Sequence, residues 1–207
     1  MIGFHFTREV KILTKDFNFK KSAVNYDDRV GKISNCFYKM LLEQVLLFPG
    51  ATVLDVGCGT GTVLRRMADT CVIIGYGIDA EENMIIEAMR KCPDMNIQLS
   101  RCEDTPFESQ SFDVITACMA YHHFADRAGF AKEAARLLKH GGCLYISDLR
   151  LPFAIRKMLN GFFGLINVAG HFDSPQELYE HFGKYGFEAD GFVSKGYAHV
   201  VKMKYTG

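Results

Sequence analysis

Apolar positions along the chain switch between helical and strand spacing. Phe37, Leu41, Val45 and Phe48 recur at helical intervals over residues 33–48, and Pro49-Gly50 stops that helix. Residues 52–56 follow as a short apolar strand, then a glycine-rich turn and a helix from about 62 to 69. Residues 72–78 form a second buried strand closed by Asp79, and residues 81–91 a helix behind it. Residues 96–100, 114–117 and 143–147 read as three more strands. A helix over 130–139 precedes the last of these, with Ala131, Ala134, Ala135 and Leu138 apolar and His140-Gly141-Gly142 as its stop. Strands alternating with helices predict an α/β fold built on a parallel sheet.

The last third departs from that rhythm. Over residues 151–172, Ala154 or Ile155, Met158, Leu159, Phe162, Phe163 and Ile166 share one helical face, with Arg156, Lys157 and Asn160 elsewhere. That face reads as packed on the core, as an apolar lid, or as a basic amphipathic helix on a membrane surface. Ser174-Pro175-Gln176-Glu177 has the form of a capping box with proline at the first helical position, so a helix runs from there to about 184. Residues 187–193 and 197–205 then read as a hairpin around Ser194-Lys195-Gly196. Residues 1–32 lack clean periodicity and are read as a mildly basic arm before one domain spanning 33–207.

Composition narrows the function classes. Lys+Arg and Asp+Glu both number 24, so no global basic field draws the chain to nucleic acid. No apolar run reaches the ~20 residues of a membrane span, and the first residues lack a signal peptide's apolar stretch. The seven cysteines are scattered without a C-x-x-C pair, which fits neither a zinc site nor a disulfide framework and suits a reducing cytoplasm.

The chemistry concentrates at Asp55-Val56-Gly57-Cys58-Gly59-Thr60-Gly61. A strand running into glycines lets a ligand approach the backbone, and the N–H groups at the following helix start offer donors. A dinucleotide fingerprint would need glycine at position 62, where Thr62 stands. Asp79 lies about twenty residues beyond the glycines, the spacing of a carboxylate accepting both hydroxyls of a ribose, and it also reads as a helix N-cap.

The D-V-G-C-G-T-G stretch resembles motif I of class I S-adenosylmethionine (SAM) dependent methyltransferases. The segment Ser111-Phe112-Asp113 through Leu-like position Tyr121 to His122-His123 is similar to that family's S-F-D…L-H-H segment, and Arg136 to Gly142 to its R-x-L-K-P-G-G turn with His140 for proline. The resemblance spans residues 33–205, in the small-molecule group (methyltransferase type 11) that includes quinone-biosynthesis C-methylating enzymes. It implies a Rossmann-like three-layer α/β sandwich: a seven-stranded, mostly parallel sheet with an antiparallel C-terminal hairpin strand. It implies SAM as cofactor, S-adenosylhomocysteine (SAH) as product, and a small-molecule acceptor, with no nucleic acid and a monomer or homodimer. Cofactor contacts are expected from Asp55, Gly57, Cys58, Gly59, Gly61, Asp79, Ala80, Met84, Cys102, Glu103, Ala117 and Cys118. Met84 also reads as core. Tyr121 and His122 are expected near the methyl donor; imidazoles serve as bases near neutral pH. Asp148, at the carboxyl end of a strand that opens onto the presumed pocket, reads equally as a substrate contact or general base and as a cap or salt-bridge partner for Arg150. Residues 151–173 correspond to the acceptor lid, and Tyr26-Asp27 to a segment folded over the cofactor. One departure stands out. Aligned on Pro106-Phe107, Arg101 occupies the place of the family's adenine-binding Asp, and arginine has no acceptor. A SAM-binding regulator without methyl transfer is the alternative reading.

Overall fold

The computed structural model describes residues 26–166 and 170–207, with side chains from residue 34 onward. The expected arm thus lies largely outside the described residues, as do the side chains of Tyr26 and Asp27. The elements in order are α1 (Tyr26–Gln44), β1 (Ala51–Val56), α2 (Thr62–Thr70), β2 (Ile73–Asp79), α3 (Glu82–Lys91), β3 (Asn96–Leu99) and β4 (Phe112–Cys118). A 3₁₀ turn (Tyr121–His123), α4 (Arg127–Leu137), β5 (Leu138–Leu149), α5 (Phe153–Leu165), α6 (Pro175–Phe182), β6 (Phe187–Lys195) and β7 (Ala198–Tyr205) complete the chain.

Seven strands form one sheet in the order β3-β2-β1-β4-β5-β7-β6. The first five run parallel, and β7 is antiparallel to both β5 and β6. Central strand β1 is covered on both faces. Val53 packs in one cluster with Phe37, Leu41, Leu64 and Met67, while Leu54 and Val56 pack in the other with Phe130, Leu137 and Phe182. That two-sided burial is why β1 reads as a continuous apolar run rather than an alternation. The strand order reverses between β1 and β4, so their carboxyl ends open a crevice, the usual ligand position in such sheets.

Several boundaries differ from the sequence expectations. Helix α1 begins seven residues before 33, because its polar first turns carry no apolar spacing to mark them. Helix α4 stops at Leu137 rather than 139, and the glycine pair is no helix stop. β4 and β5 pair Phe112 with Leu138 and then Val114 with Cys143, so residues 139–142 bulge out of the ladder with Gly141 at φ +81°. Lys139 uses that excursion to reach the Asp113 carboxylate at 2.9 Å. The capping box at Ser174 and Glu177 forms as expected, with Ser174 N–H donating 2.8 Å to the Glu177 carboxylate. Helix α5 departs most. Of the expected apolar face, Phe163 and Leu159 pack on the core while Met158, Phe162 and Ile166 stand exposed, so the core-packed reading holds for only part of the face.

Candidate active site

The turn after β1 is built from three glycines in left-handed conformation, Gly57 (φ +70°), Gly59 (φ +53°) and Gly61 (φ +76°). Their surroundings separate their roles. A Cβ on Gly57 would lie 2.5 Å from the Ala120 Cβ, and one on Gly61 3.3 Å from the Ala88 backbone, so these two let neighbouring elements pack closely. A Cβ on Gly59 would meet nothing within 4 Å, and Gly59 lines a cleft of about 460 Å³. Gly59 is the glycine left open for a ligand. The turn is pinned to β2, with Gly57 and Cys58 N–H donating to the Ile78 carbonyl at 2.8 and 2.9 Å.

Two carboxylates face this turn. Asp79 accepts from Gly59 N–H and from Glu81 N–H, each at 2.9 Å, one per carboxylate oxygen. It thereby organises both the turn and the start of α3, while still lining the cleft. Each oxygen keeps a further lone pair for a ligand hydroxyl. Asp55, 1% exposed at the end of β1, accepts 2.6 Å from the Thr116 hydroxyl of β4. Burial pushes its pKa up to about 7, the Thr116 bond opposing and the nearby Asp79 charge adding to the rise. Burial likewise raises Asp79, against the Glu81 and Gly59 N–H groups. The cleft therefore favours a ligand that brings positive charge to one end and hydroxyls to the other.

The remaining expected cofactor residues divide. Cys58, Ala80, Met84, Cys102, Glu103 and Cys118 line the same cleft, and burial raises the thiols of Cys58 and Cys118 so that both stay neutral. Ala117 does not line it: its methyl group packs in the core cluster with Ile115 and Ile146. Arg101 lines the rim but is no obstruction, because its guanidinium turns to solvent and pairs with Glu103. The loop from 101 to 105 is anchored from below by buried Glu133, whose carboxylate accepts from Thr105 N–H at 2.9 Å and Thr105 hydroxyl at 2.6 Å.

On the acceptor side, adjacent residues take different places. Tyr121 is buried among Phe124, Phe130 and Phe182 and does not line the cleft, so the expectation that it lies beside the methyl donor is corrected; the 3₁₀ turn directs its ring to the helical core. His123 lines the cleft instead, its pKa pushed down to about 3 by burial and then by the charge of His122. His122 is buried next to it, ring centroids 3.9 Å apart, with Phe172 stacked on its far side at 5.1 Å. Its Nδ1 lies 2.7 Å from Asp148, in contact but off ideal hydrogen-bond alignment. Asp148 also accepts from His122 N–H at 3.1 Å and Leu149 N–H at 2.7 Å, and so pairs with His122 rather than Arg150. Burial raises the Asp148 pKa but the His122 charge and these bonds outweigh it, holding the group below its ordinary value.

Residues that sequence spacing did not reveal complete this side. His199 on β7 is the register partner of Asp148 on β5, 1% exposed, and among the described residues neither ring nitrogen has a hydrogen-bond partner. Asn160 on α5 holds the Phe172 backbone at both N–H and C=O, 2.9 Å each, and His171 N–H donates 2.9 Å to the His122 carbonyl. For His199 the signal was the antiparallel β5–β7 register, which joins positions about fifty residues apart.

Comparison with known proteins gives the family. A family profile described as "Methyltransferase domain" matches residues 54–146. The ubiquinone/menaquinone biosynthesis C-methyltransferase UbiE of Geotalea daltonii is 32% identical over 72% of this chain and 68% of its own length. The chain belongs to the class I SAM-dependent methyltransferase family. The demethylmenaquinone methyltransferase of Chlorobaculum parvum is also 32% identical, over 62% of this chain and 55% of its own length, so the chain spans about half of that relative. Among solved structures, a chain from the complex between the Haloferax volcanii Trm112 methyltransferase activator and a putative methyltransferase superposes with a TM-score of 0.81. It covers 92% of this chain and 98% of its own at 20% identity, a likeness of fold.

Proposed function

We propose that the protein transfers a methyl group from SAM to a small-molecule acceptor with an apolar body, releasing SAH. The observation that carries this reading is the pair of carboxylates, buried Asp55 and half-buried Asp79, flanking the open Gly59 turn. When bound, SAM supplies a methyl group on a sulfonium, whose positive charge makes that carbon electrophilic. Asp79 holds the ribose hydroxyls with its remaining lone pairs, and Asp55 offers negative charge toward the cationic amino-acid end. Met84 and Cys102 wall the adenine side. His123 and Cys118 border the methyl end of the cleft. His122 and Asp148 pair behind the cleft wall rather than lining it, with His123 between them and the cleft; we assign to this pair the uptake of a proton when the acceptor's attacking atom arrives protonated. The acceptor's nucleophilic atom bonds to the methyl carbon as the carbon–sulfur bond breaks, its electron pair returning to sulfur. The residues accelerate this by holding both partners in line.

The acceptor class follows the named relatives, which act in quinone biosynthesis. Among the described residues no helix is long and apolar enough to cross a membrane, and none of their cysteines forms a disulfide. We read the protein as cytoplasmic, without a nucleic-acid partner, and as a monomer or homodimer. Incubation with methyl-labelled SAM and a panel of phenols and hydroquinones, followed by organic extraction, tests the function. Label in an extracted acceptor, lost with Asp79→Ala and reduced with His122→Ala, is the expected result. Tight SAM binding with no label in any acceptor would favour a SAM-binding regulator instead.

A further inference from the structure

Among the described residues, the outer face of α5 carries a run of exposed large apolar side chains. Phe153, Met158, Phe162, Leu165 and Ile166 are each between 46% and 84% exposed along this one helix. Isolated exposed leucines are ordinary, but a row of large apolar side chains on one face marks a contact surface. The charges around it are of one sign. Arg150, Lys157 and Lys195 are exposed, and the Lys157 ammonium sits 5.1 Å above the Phe153 ring. The hairpin tip belongs to the same surface, because Arg150 N–H donates to the Tyr197 carbonyl at 2.6 Å and Leu149 pairs with Ala198. No Asp or Glu occurs over residues 149–172 or 191–207 in a chain whose net charge is zero. Of the acids just outside those stretches, Asp148 pairs with His122, Asp173 with Arg127, Glu177 with Arg156 and Asp190 with Lys202, and exposed Glu188 lies opposite Lys204 in the β6–β7 register.

We propose that the outer face of α5 and the β6–β7 hairpin tip form a docking surface for an anionic lipid bilayer. An apolar helical face seated among acyl chains, rimmed by cations that reach headgroup phosphates, is the arrangement by which helices lie in the plane of a membrane interface. Long cationic side chains suit that rim, since their stems cover apolar surface while their charges stay at headgroup level. A protein partner of opposite charge would find the cations but would need to cover a convex helix with glycines at 161 and 164. A bilayer needs no complementary shape. This surface adjoins the end of the sheet where Asp148 on β5 pairs in register with His199 on β7. The inference stands on the surface alone and does not depend on methyl transfer.

Co-sedimentation of the full chain with vesicles tests it, using phosphatidylcholine alone and phosphatidylcholine with about one-third phosphatidylglycerol, a content that gives the negative surface potential required. Binding is expected to the anionic vesicles, weakened at least about tenfold by raising salt or by Arg150→Gln with Lys157→Gln. Phe162→Ser with Leu165→Ser should reduce it by at least about tenfold as well. These side chains are solvent-exposed, and unchanged SAH binding of each variant would show that it is folded. Absence of wild-type binding to the anionic vesicles at low salt overturns the proposal, as does wild-type binding by the Phe162/Leu165 variant. A wild-type dimer in solution that Leu165→Ser converts to monomer would also overturn it, assigning the face to self-association.

Discussion

Replacing Gly59 by alanine separates ligand approach from folding. At φ +53° an L-residue carries a left-handed backbone cost of about 1–2 kcal/mol, and the new Cβ meets nothing within 4 Å. Gly57→Ala bears the same backbone cost and adds a Cβ 2.5 Å from the Ala120 Cβ, an overpacking of about 1–3 kcal/mol more. With about 2–4 °C of melting temperature per kcal/mol for a domain of this size, Gly59→Ala should lower Tm by roughly 2–8 °C and Gly57→Ala by roughly twice that. Binding should rank in the opposite sense to that mild cost. The Gly59→Ala methyl group occupies cleft space the cofactor backbone needs, and a clash of about 1–3 kcal/mol weakens SAH by roughly 5- to 150-fold. Thermal melts without ligand and calorimetric titration with SAH measure the two quantities on the same sample. Wild-type affinity in Gly59→Ala would refute the assignment of Gly59 as the ligand-facing glycine. So would a Tm loss as large as that of Gly57→Ala.

Two further perturbations probe the cleft. Burial raises the folded-state pKa of Asp55 to about 7, so this group's contribution to stability is full below the unfolded pKa near 3.8 and is lost as pH rises through 7. The loss is on the order of 4 kcal/mol, and Asp55→Asn should remove it: the variant's apo Tm should gain on the wild type between pH 5 and 8 while SAM binding weakens. An identical pH trend in both proteins would show that Asp55 does not titrate in this way. Arg101→Ala should change SAH affinity by no more than about fivefold, because its guanidinium is solvent-exposed and pairs with Glu103. A larger loss by calorimetry would mean that this side chain, rather than the backbone beside it, contacts the adenosine.

The cofactor side was legible in the sequence because its geometry is written locally. Glycines at alternate positions after an apolar strand require a left-handed turn, and Asp79 at the end of the next parallel strand falls beside it through the Val56–Ile78 pairing. The sheet was legible for the same reason, down to the antiparallel β6–β7 pair. The acceptor side was not. Which of Tyr121, His122 and His123 faces the cleft depends on the direction of a three-residue 3₁₀ turn, and adjacent residues carry no periodicity to reveal it. His199 meets Asp148 only through the β5–β7 register. In α5, apolar spacing identified a helix, but spacing alone does not state whether a stripe faces protein or solvent. Buried Arg156 shows why: its partner Glu177 comes from the capping box of α6, so a charged residue turns inward beside Leu159 and Phe163 while Met158 and Phe162 turn outward.

The central claim is that the cleft between the Gly59 turn and Asp79 holds SAM. Calorimetric titration of the wild-type protein and of Asp79→Ala with SAM and SAH tests it most directly. Two charge-assisted hydrogen bonds to the ribose, each of about 1.5–3 kcal/mol, predict at least about a 100-fold loss of affinity in the variant. A folded, ligand-free wild type that binds neither compound, or an Asp79→Ala variant that binds both as tightly as wild type, would contradict the account.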